Sequence, residues 1–266
     1  MVSIAIMGAC GRMGSALVQA VKNFPNLKLA AAVEQPGHPM VGIDSGTVAG
    51  CPPTGVPVTD DPEAAVAAAD VVIDFTFHTV VPAVAECVRR HRKAYVLGTT
   101  GLTPDELASV EAAAQVVPVL MAPNMSLGVN LLLNLVKQAA AVLDSGYDAE
   151  IVEMHHRHKK DAPSGTARRL LEIVRENMGG LEDAKEVPGR DGIVGERTKN
   201  EIGILAMRGG DIVGEHTVFF TTFGERIELT HRATSREILS SGAVTAMEFL
   251  AGKPAGLYTM YDVLGF

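Results

Sequence analysis

The sequence predicts an α/β protein, a doubly wound parallel sheet joined to a smaller α+β domain with an open mixed sheet. Three observations predict it. Nearly continuous apolar runs rich in Val, Ile and Ala alternate with segments of helical period through the first half, as strands do when helices cover both faces of a parallel sheet. A glycine-rich turn follows the first run. Beyond Asn124 the pattern changes to helices followed by alternating, β-branched strands, the mark of sheets with one covered face.

Taken in order, the apolar runs Val2–Met7, Lys28–Glu34, Asp70–Phe75, Ala94–Leu97 and Val117–Met121 read as parallel strands. Gln35–Pro57, where Gly and Pro recur, reads as a long irregular loop. A helix over Asn130–Leu143 ends in a loop at Asp144–Asp148 and leads to a strand around Glu150–His156. The next helix runs from Ser164 to Met178, with Ala167, Leu170, Leu171, Val174 and Met178 on one face. Strands follow at Glu201–Met207, Gly214–Thr222 and Glu225–Ala233, the last two joined by a tight turn at Phe223-Gly224. Thr234-Ser235-Arg236-Glu237 has the form of a capping box and opens a helix through Leu250 that is expected to return to the first domain. The domains expected are 1–126, completed by 236–266, and 127–235.

Composition narrows the partners. A hydrophobic fraction of 47% with 20% charged residues suits a folded globular chain. A formal net charge of −8 argues against general binding to nucleic acid or an anionic membrane. Cys10, Cys51 and Cys87 are too widely spaced for a CxxC metal site or a disulfide framework, which fits a reducing cytoplasm. No targeting or membrane-spanning segment is expected.

The glycine turn is "GACGRMG", Gly8 to Gly14, placed between a strand and a helix. Glycines there let the backbone approach a pyrophosphate, and the helix N-terminus favours the anion. Cys10 replaces the middle glycine of the usual dinucleotide fingerprint, but Glu34 ends the second strand twenty residues after Gly14, where a carboxylate can accept from ribose hydroxyls. A nicotinamide cofactor is therefore expected. Gln35, not arginine, follows Glu34, so NADH should be used at least as well as NADPH, although Arg12 could reach a phosphate.

The segment "EMHHRHKKDAPSGTA", Glu153 to Ala167, concentrates His155, His156, His158, Arg157, Lys159 and Lys160 in an acidic chain. A solvated basic loop is the bland reading. A metal site is disfavoured because the neighbouring cations oppose a metal ion. The third reading is an anion site, with Ser164-Gly165-Thr166 opening a helix whose N–H groups can hold a carboxylate beside the lysines. A negative protein that attracts a negative substrate needs such a local positive funnel.

These motifs, together with "DFT" at Asp74–Thr76, "GTTG" at Gly98–Gly101, "APNMSLGVN" at Ala122–Asn130 and "RGGDIVGEHTV" at Arg208–Val218, resemble the 4-hydroxy-tetrahydrodipicolinate reductase family, also called dihydrodipicolinate reductase, over essentially the whole chain. The resemblance implies a Rossmann-type domain completed by the C-terminal segment, a substrate and oligomerisation domain between, a cytoplasmic homotetramer, and reduction by NADH or NADPH of a small cyclic dicarboxylate in lysine biosynthesis. It implies His155 as proton donor and Lys159 as its catalytic partner, with His156, Gly165 and Thr166 contacting substrate carboxylates. Cofactor contacts would fall on Gly8, Ala9, Cys10, Gly11, Arg12 and Met13, on Glu34, on Gly98, Thr99 and Thr100, and on Ala122, Pro123, Asn124 and Met125. No metal ligands are implied. Phe77-His78-Thr79 departs from the family's pattern after "DFT", and Gln35 from the arginine some members carry.

Histidine suits the proposed role independently, because hydride addition to an unsaturated ring leaves an electron-rich system that needs a proton from a group titrating near neutrality. His216 and His231 read as structural histidines, Arg208, Asp211 and Glu215 as turn-shaping or salt-bridged charges, and Met13, Met121 and Met125 as packing residues. Two other functions compete: another two-domain dehydrogenase, which would not need the paired histidines, and a non-catalytic NAD(H) sensor, which would need no proton donor.

Overall fold

The computed structural model describes residues 1–143 and 146–266. Asp144 and Ser145, part of the expected loop at Asp144–Asp148, lie outside the described residues. The chain forms two compact units, Met1–Leu127 with Glu237–Phe266, and Gly128–Arg236.

The first unit is an α/β layer structure. In chain order it holds β1 (Val2–Met7), α1 (Arg12–Val21), β2 (Leu27–Val33), α2 (Ser45–Val48), β3 (Val58–Thr59), α3 (Pro62–Ala68), β4 (Val71–Asp74), α4 (Val81–His91), β5 (Ala94–Leu97), α5 (Pro104–Ala114) and β6 (Pro118–Met121). The second unit begins within α6 (Leu127–Val142) and continues through β7 (Asp148–His155), α7 (Gly165–Asn177), β8 (Lys185–Val187), β9 (Glu201–Arg208), β10 (Gly214–Thr222) and β11 (Glu225–Ala233). The chain then gives α8 (Glu237–Leu250), β12 (Gly256–Tyr258) and α9 (Met260–Leu264) to the first unit.

The sheet of the first unit is parallel, in the order β12-β6-β5-β4-β1-β2-β3. Its period of two divides β1 between two cores: Ile4 and Ile6 join Leu17, Ile73, Leu120, Val244 and Met247 on one face, while Ala5 and Met7 join Val72, Val84, Val88 and Tyr95 on the other. Because both faces are covered, the strands are mostly apolar, with polar side chains such as Lys28 near a strand start and Asp74 at a strand end. Strand order reverses between β1 and β4, and a crevice for ligands opens beyond the carboxyl ends at such a reversal.

The second unit has a mixed sheet, β11-β10-β7-β9-β8, antiparallel between β10 and its neighbours and parallel between β7, β9 and β8. Along β7 the buried residues are Ala149, Ile151, Glu153 and His155. The amphipathic α7 lies against β7, β9 and β10 with Leu170, Leu171 and Val174 buried. An acid and a histidine thus occupy positions where alternation calls for apolar side chains.

Three sequence expectations need correction. Gln35–Pro57 is not irregular throughout: it contains α2, capped by Asp44, whose carboxylate also accepts from the Gly55 N–H at 2.7 Å. The short strands β3, β8 and β12 were not foreseen, since two or three residues show no period. The strand expected to reach His156 ends at His155, where the Gly209 N–H donates to the His155 carbonyl at 3.0 Å and the Arg157 N–H to Gly210 at 3.2 Å. Among the described residues, no helix is long and apolar enough to cross a membrane.

Helix α8 fits the first unit by close approach. A Cβ at Gly242 would lie 1.9 Å from the Met125 carbonyl oxygen, a backbone atom with no freedom to retreat. Gly242→Ala should therefore lower stability by about 1–3 kcal/mol, the usual range for overpacking, measured by urea denaturation. An unchanged midpoint would show that this contact relaxes freely.

Candidate functional site

The first unit gathers its expected contact residues at the carboxyl ends of neighbouring strands. Gly8, at φ +67°, turns the chain out of β1, and the Gly11 N–H donates to its carbonyl at 3.0 Å. A Cβ at Gly14 would lie 2.1 Å from the Gly8 oxygen and 2.6 Å from the Ala9 Cα. Only glycine permits this packing of α1 against the turn, which Cys10 completes. Arg12 and Met13 open α1, and Gly11 at its N-cap brings no capping side chain, so the helix end suits an anion.

Glu34 follows β2 and reaches back to this turn: its carboxylate accepts from the Cys10 N–H at 3.1 Å and the Gln35 N–H at 3.0 Å. A cavity of about 470 Å³ lies beside it, bounded by Gly8, Glu34, Gln35, Thr76, Phe77 and Val80 among others. Gly98, Thr99 and Thr100 follow β5. Gly98 lies so close to Phe75 that a Cβ would be 2.0 Å from its ring, and the Thr99 hydroxyl donates to the Thr76 carbonyl at 3.3 Å. Ala122, Pro123, Asn124 and Met125 follow β6, with the Ser126 N–H donating to the Asn124 side chain at 2.9 Å and Met125 buried as a packing residue. After β4, His78 pairs with Glu106 at 2.9 Å, while Phe77 is left exposed.

The second unit centres on Glu153. Its carboxylate is fully buried and accepts from His155 Nδ1 at 2.6 Å, from the Ser164 N–H at 3.0 Å, and from two Arg208 nitrogens at 2.7 Å each. Glu153 and His155 share a face because they are two apart on β7. Arg208 stands opposite His155 on β9 and also donates to the Asp161 carbonyl at 2.7 Å, fixing the loop that carries Lys159. The other imidazole nitrogen of His155, Nε2, makes no hydrogen bond among the described residues. A Cβ at Gly214 would lie 3.0 Å from Nε2, so glycine there keeps the nitrogen unobstructed.

Around this centre, Lys159 Nζ pairs with the exposed Asp161 at 2.9 Å. His156 Nε2 accepts from Arg236 at 3.2 Å. Ser164 caps α7 by accepting from the Ala167 N–H, with Gly165 and Thr166 at the first helical positions. His216 lies 3.0 Å from the Ser164 hydroxyl, and its ring meets that of His155 edge to face at 5.2 Å.

Burial alone would raise the Glu153 pKa, but the bonds from Arg208, His155 and the Ser164 N–H outweigh it and hold the carboxyl below its usual range. Burial lowers the His155 pKa, and Lys159 and Arg208 lower it further against the opposing pull of Glu153. Burial, with repulsion from His155, brings His216 down to about 4. The imidazoles are therefore neutral at pH 7, each hydrogen-bonded through one nitrogen.

The sequence reads Arg208 as a turn-shaping or salt-bridged charge and His216 as a structural histidine. Arg208 is salt-bridged, but to a carboxylate with no solvent exposure. The legible signal was Glu153 itself: an acid on the same strand face as His155 requires a buried partner. The pairing of β7 with β9 and β10, which supplies Arg208 and His216, could not be read from spacing.

His216 links folding to pH. Its folded pKa of about 4 lies below the unfolded value of about 6.5, so the unfolded chain binds the extra proton; the stabilisation is complete above 6.5 and lost as pH falls through about 4. His216→Gln should reduce the fall in melting temperature between pH 7 and pH 4, followed by circular dichroism. An identical slope in the variant would contradict this linkage.

Comparison with known proteins gives the family. The family model "Dihydrodipicolinate reductase, N-terminus" matches residues 2–125, and "Dihydrodipicolinate reductase, C-terminus" matches residues 128–264. The 4-hydroxy-tetrahydrodipicolinate reductase of Anaeromyxobacter dehalogenans (strain 2CP-1 / ATCC BAA-258) is 52% identical over 265 residues, covering 100% of this chain and 98% of that protein. Its counterpart in Anaeromyxobacter sp. (strain Fw109-5) is 54% identical with the same coverage. The solved structure of a dipicolinate-bound dihydrodipicolinate reductase from Paenisporosarcina sp. TG-14 superposes with a TM-score of 0.80 at 25% identity, covering 98% of each chain. The chain belongs to the dihydrodipicolinate reductase family.

Proposed function

We propose that His155 donates the proton and Lys159 assists it in this family's reaction, the NAD(P)H-dependent reduction of 4-hydroxy-tetrahydrodipicolinate to tetrahydrodipicolinate with loss of water. The chain is an oxidoreductase of diaminopimelate and lysine biosynthesis; the proposal assigns the roles of its residues. The observation that carries it is the bond of His155 Nδ1 to buried Glu153 at 2.6 Å, which orients the ring and leaves Nε2 as the nitrogen that can exchange a proton.

A cyclic dicarboxylate brings two negative charges. One carboxylate takes the place of Asp161 beside Lys159 Nζ, and the α7 N-terminus at Gly165 and Thr166, with His156, receives the other. These charges raise the pKa of His155 and favour the imidazolium, which then gives its Nε2 proton to the electron-rich ring after reduction. Dipicolinate bound to the Paenisporosarcina relative supports a planar dicarboxylate as ligand.

The close-packed turn at Gly8 and Gly14 fits a pyrophosphate, and Glu34 fits ribose hydroxyls that would replace its present N–H donors. Thr99, Thr100 and the Ala122–Met125 segment would border the nicotinamide. A reduced nicotinamide bound there supplies the hydride. NADH should serve at least as well as NADPH: the cavity lining carries Glu34, Asp60 and Glu63, and its Arg90 is already paired with Glu63 at 2.6 Å. The reading extends, through the resemblance, to a homotetramer in the cytoplasm, the latter in keeping with free thiols at Cys10, Cys51 and Cys87.

His155→Gln should lower kcat about 10²–10⁴-fold while NADH affinity stays within error; near-normal turnover would remove His155 as the acid. Lys159→Ala should raise KM and lower kcat together, whereas a change in melting temperature alone would make the lysine structural. Steady-state kinetics with each cofactor should give NADH a kcat/KM equal to or above that of NADPH, and a large NADPH advantage would reverse this preference.

A further inference from the structure

We infer that Cys10, Glu34 and His38 form a binding site for a thiophilic divalent ion of the zinc type, and that the ion and the dinucleotide exclude one another. The Cys10 sulfur, a Glu34 carboxylate oxygen and a His38 ring nitrogen all lie within 4.8 Å of one another. Tetrahedral zinc with ligand bonds of about 2.0–2.3 Å sets neighbouring ligand atoms about 3.3–3.8 Å apart, so closure asks for shifts of at most about 1.5 Å.

The backbone already organises this group. Glu34 accepts from the Cys10 N–H at 3.1 Å, tying the first two ligands together across the ends of β1 and β2. The His38 N–H donates to the Gln35 carbonyl at 3.2 Å, which folds the chain after Glu34 back toward it. The imidazole's own bond, from the Met40 N–H to Nδ1, is long at 3.3 Å and readily exchanged for a metal. One thiol, one imidazole and one carboxylate are a donor set for zinc or cobalt rather than for magnesium or calcium, which prefer oxygen alone.

Cys10 ligates as the thiolate, and binding transfers its proton to solvent. A second group, Glu63, Cys87 and His91, has comparable spacing, but Arg90 lies 2.6 Å from its carboxylate and opposes a cation. Mutual exclusion follows because metal and ribose hydroxyls compete for the Glu34 carboxylate, whose two oxygens already accept from the Cys10 and Gln35 N–H groups; this part rests on the cofactor reading above.

Titration of the full chain with Co²⁺ tests the site, since a cobalt–thiolate bond absorbs in the near ultraviolet. One equivalent should produce the band, Zn²⁺ should bleach it, and Cys10→Ser should abolish it. His38→Ala should raise the Co²⁺ Kd by at least about 10-fold. Absence of the band, or its survival unchanged in either variant, overturns the site. Saturating NADH should also remove the band; persistence with NADH bound overturns exclusion. If NADH fails to bind the metal-free chain, the cofactor reading fails while the metal site stands on the cobalt spectra.

Discussion

A single buried carboxylate organises the second unit. An ionised acid removed from water is strongly disfavoured unless its oxygens are fully engaged, and Glu153 meets this with His155, the Ser164 N–H and the fork of Arg208. Each donor comes from a different place: β7 itself, the start of α7, and the end of β9. The requirement to neutralise one charge therefore fixes the imidazole, the helix N-terminus and, through the bond from Arg208 to Asp161, the lysine loop. Planar, bidentate pairing is what arginine supplies and lysine does not.

The first unit uses the same device at the crevice of its sheet. Asp74 is fully buried at the end of β4 and accepts from the Thr76 N–H at 2.7 Å, the Thr76 hydroxyl at 2.6 Å, Tyr95 at 2.9 Å and Thr99 at 3.3 Å. Burial, with the nearby Asp74 charge, pushes the Tyr95 pKa well up, so the phenol remains a donor. The loops after β4 and β5 are thereby tied to one point. Loops that must meet a polar ligand cannot be held by apolar packing alone; a carboxylate behind them provides rigidity without filling the space in front.

Legibility from sequence followed the strength of each physical signal. The boundaries of β1, β5, β10 and β11 were readable because buried parallel strands are continuously apolar and hairpin strands flank a turn such as Phe223-Gly224. β3, β8 and β12 were not, because their pairing is imposed by neighbours rather than by their own pattern. The glycine turn and the histidine segment were visible as local motifs. Arg208 and His216 lie within the motif RGGDIVGEHTV, but their roles do not show in it, since those come from register: Arg208 lies opposite His155, and His216 opposite Glu153. Cross-strand pairing is information that one strand's sequence does not contain.

The same network resolves the tension between an acidic chain and an anionic substrate. Long-range attraction is weak for a protein of net charge −8, so discrimination must arise at short range, where charges interact within a Debye length of about 8–10 Å. Arg208 is spent on Glu153 and leaves little net field, whereas Lys159 is held by an exposed aspartate that solvent readily screens. The neutral His155 adds no charge of its own. Positive charge on His155 is thus withheld beside Lys159 and Arg208, where it would be costly, and in the proposed complex would develop as substrate carboxylates compensate it. With His155 in its proposed role, coupling protonation to substrate binding would supply the acid in the complex that needs it, from a histidine that is neutral in the free protein.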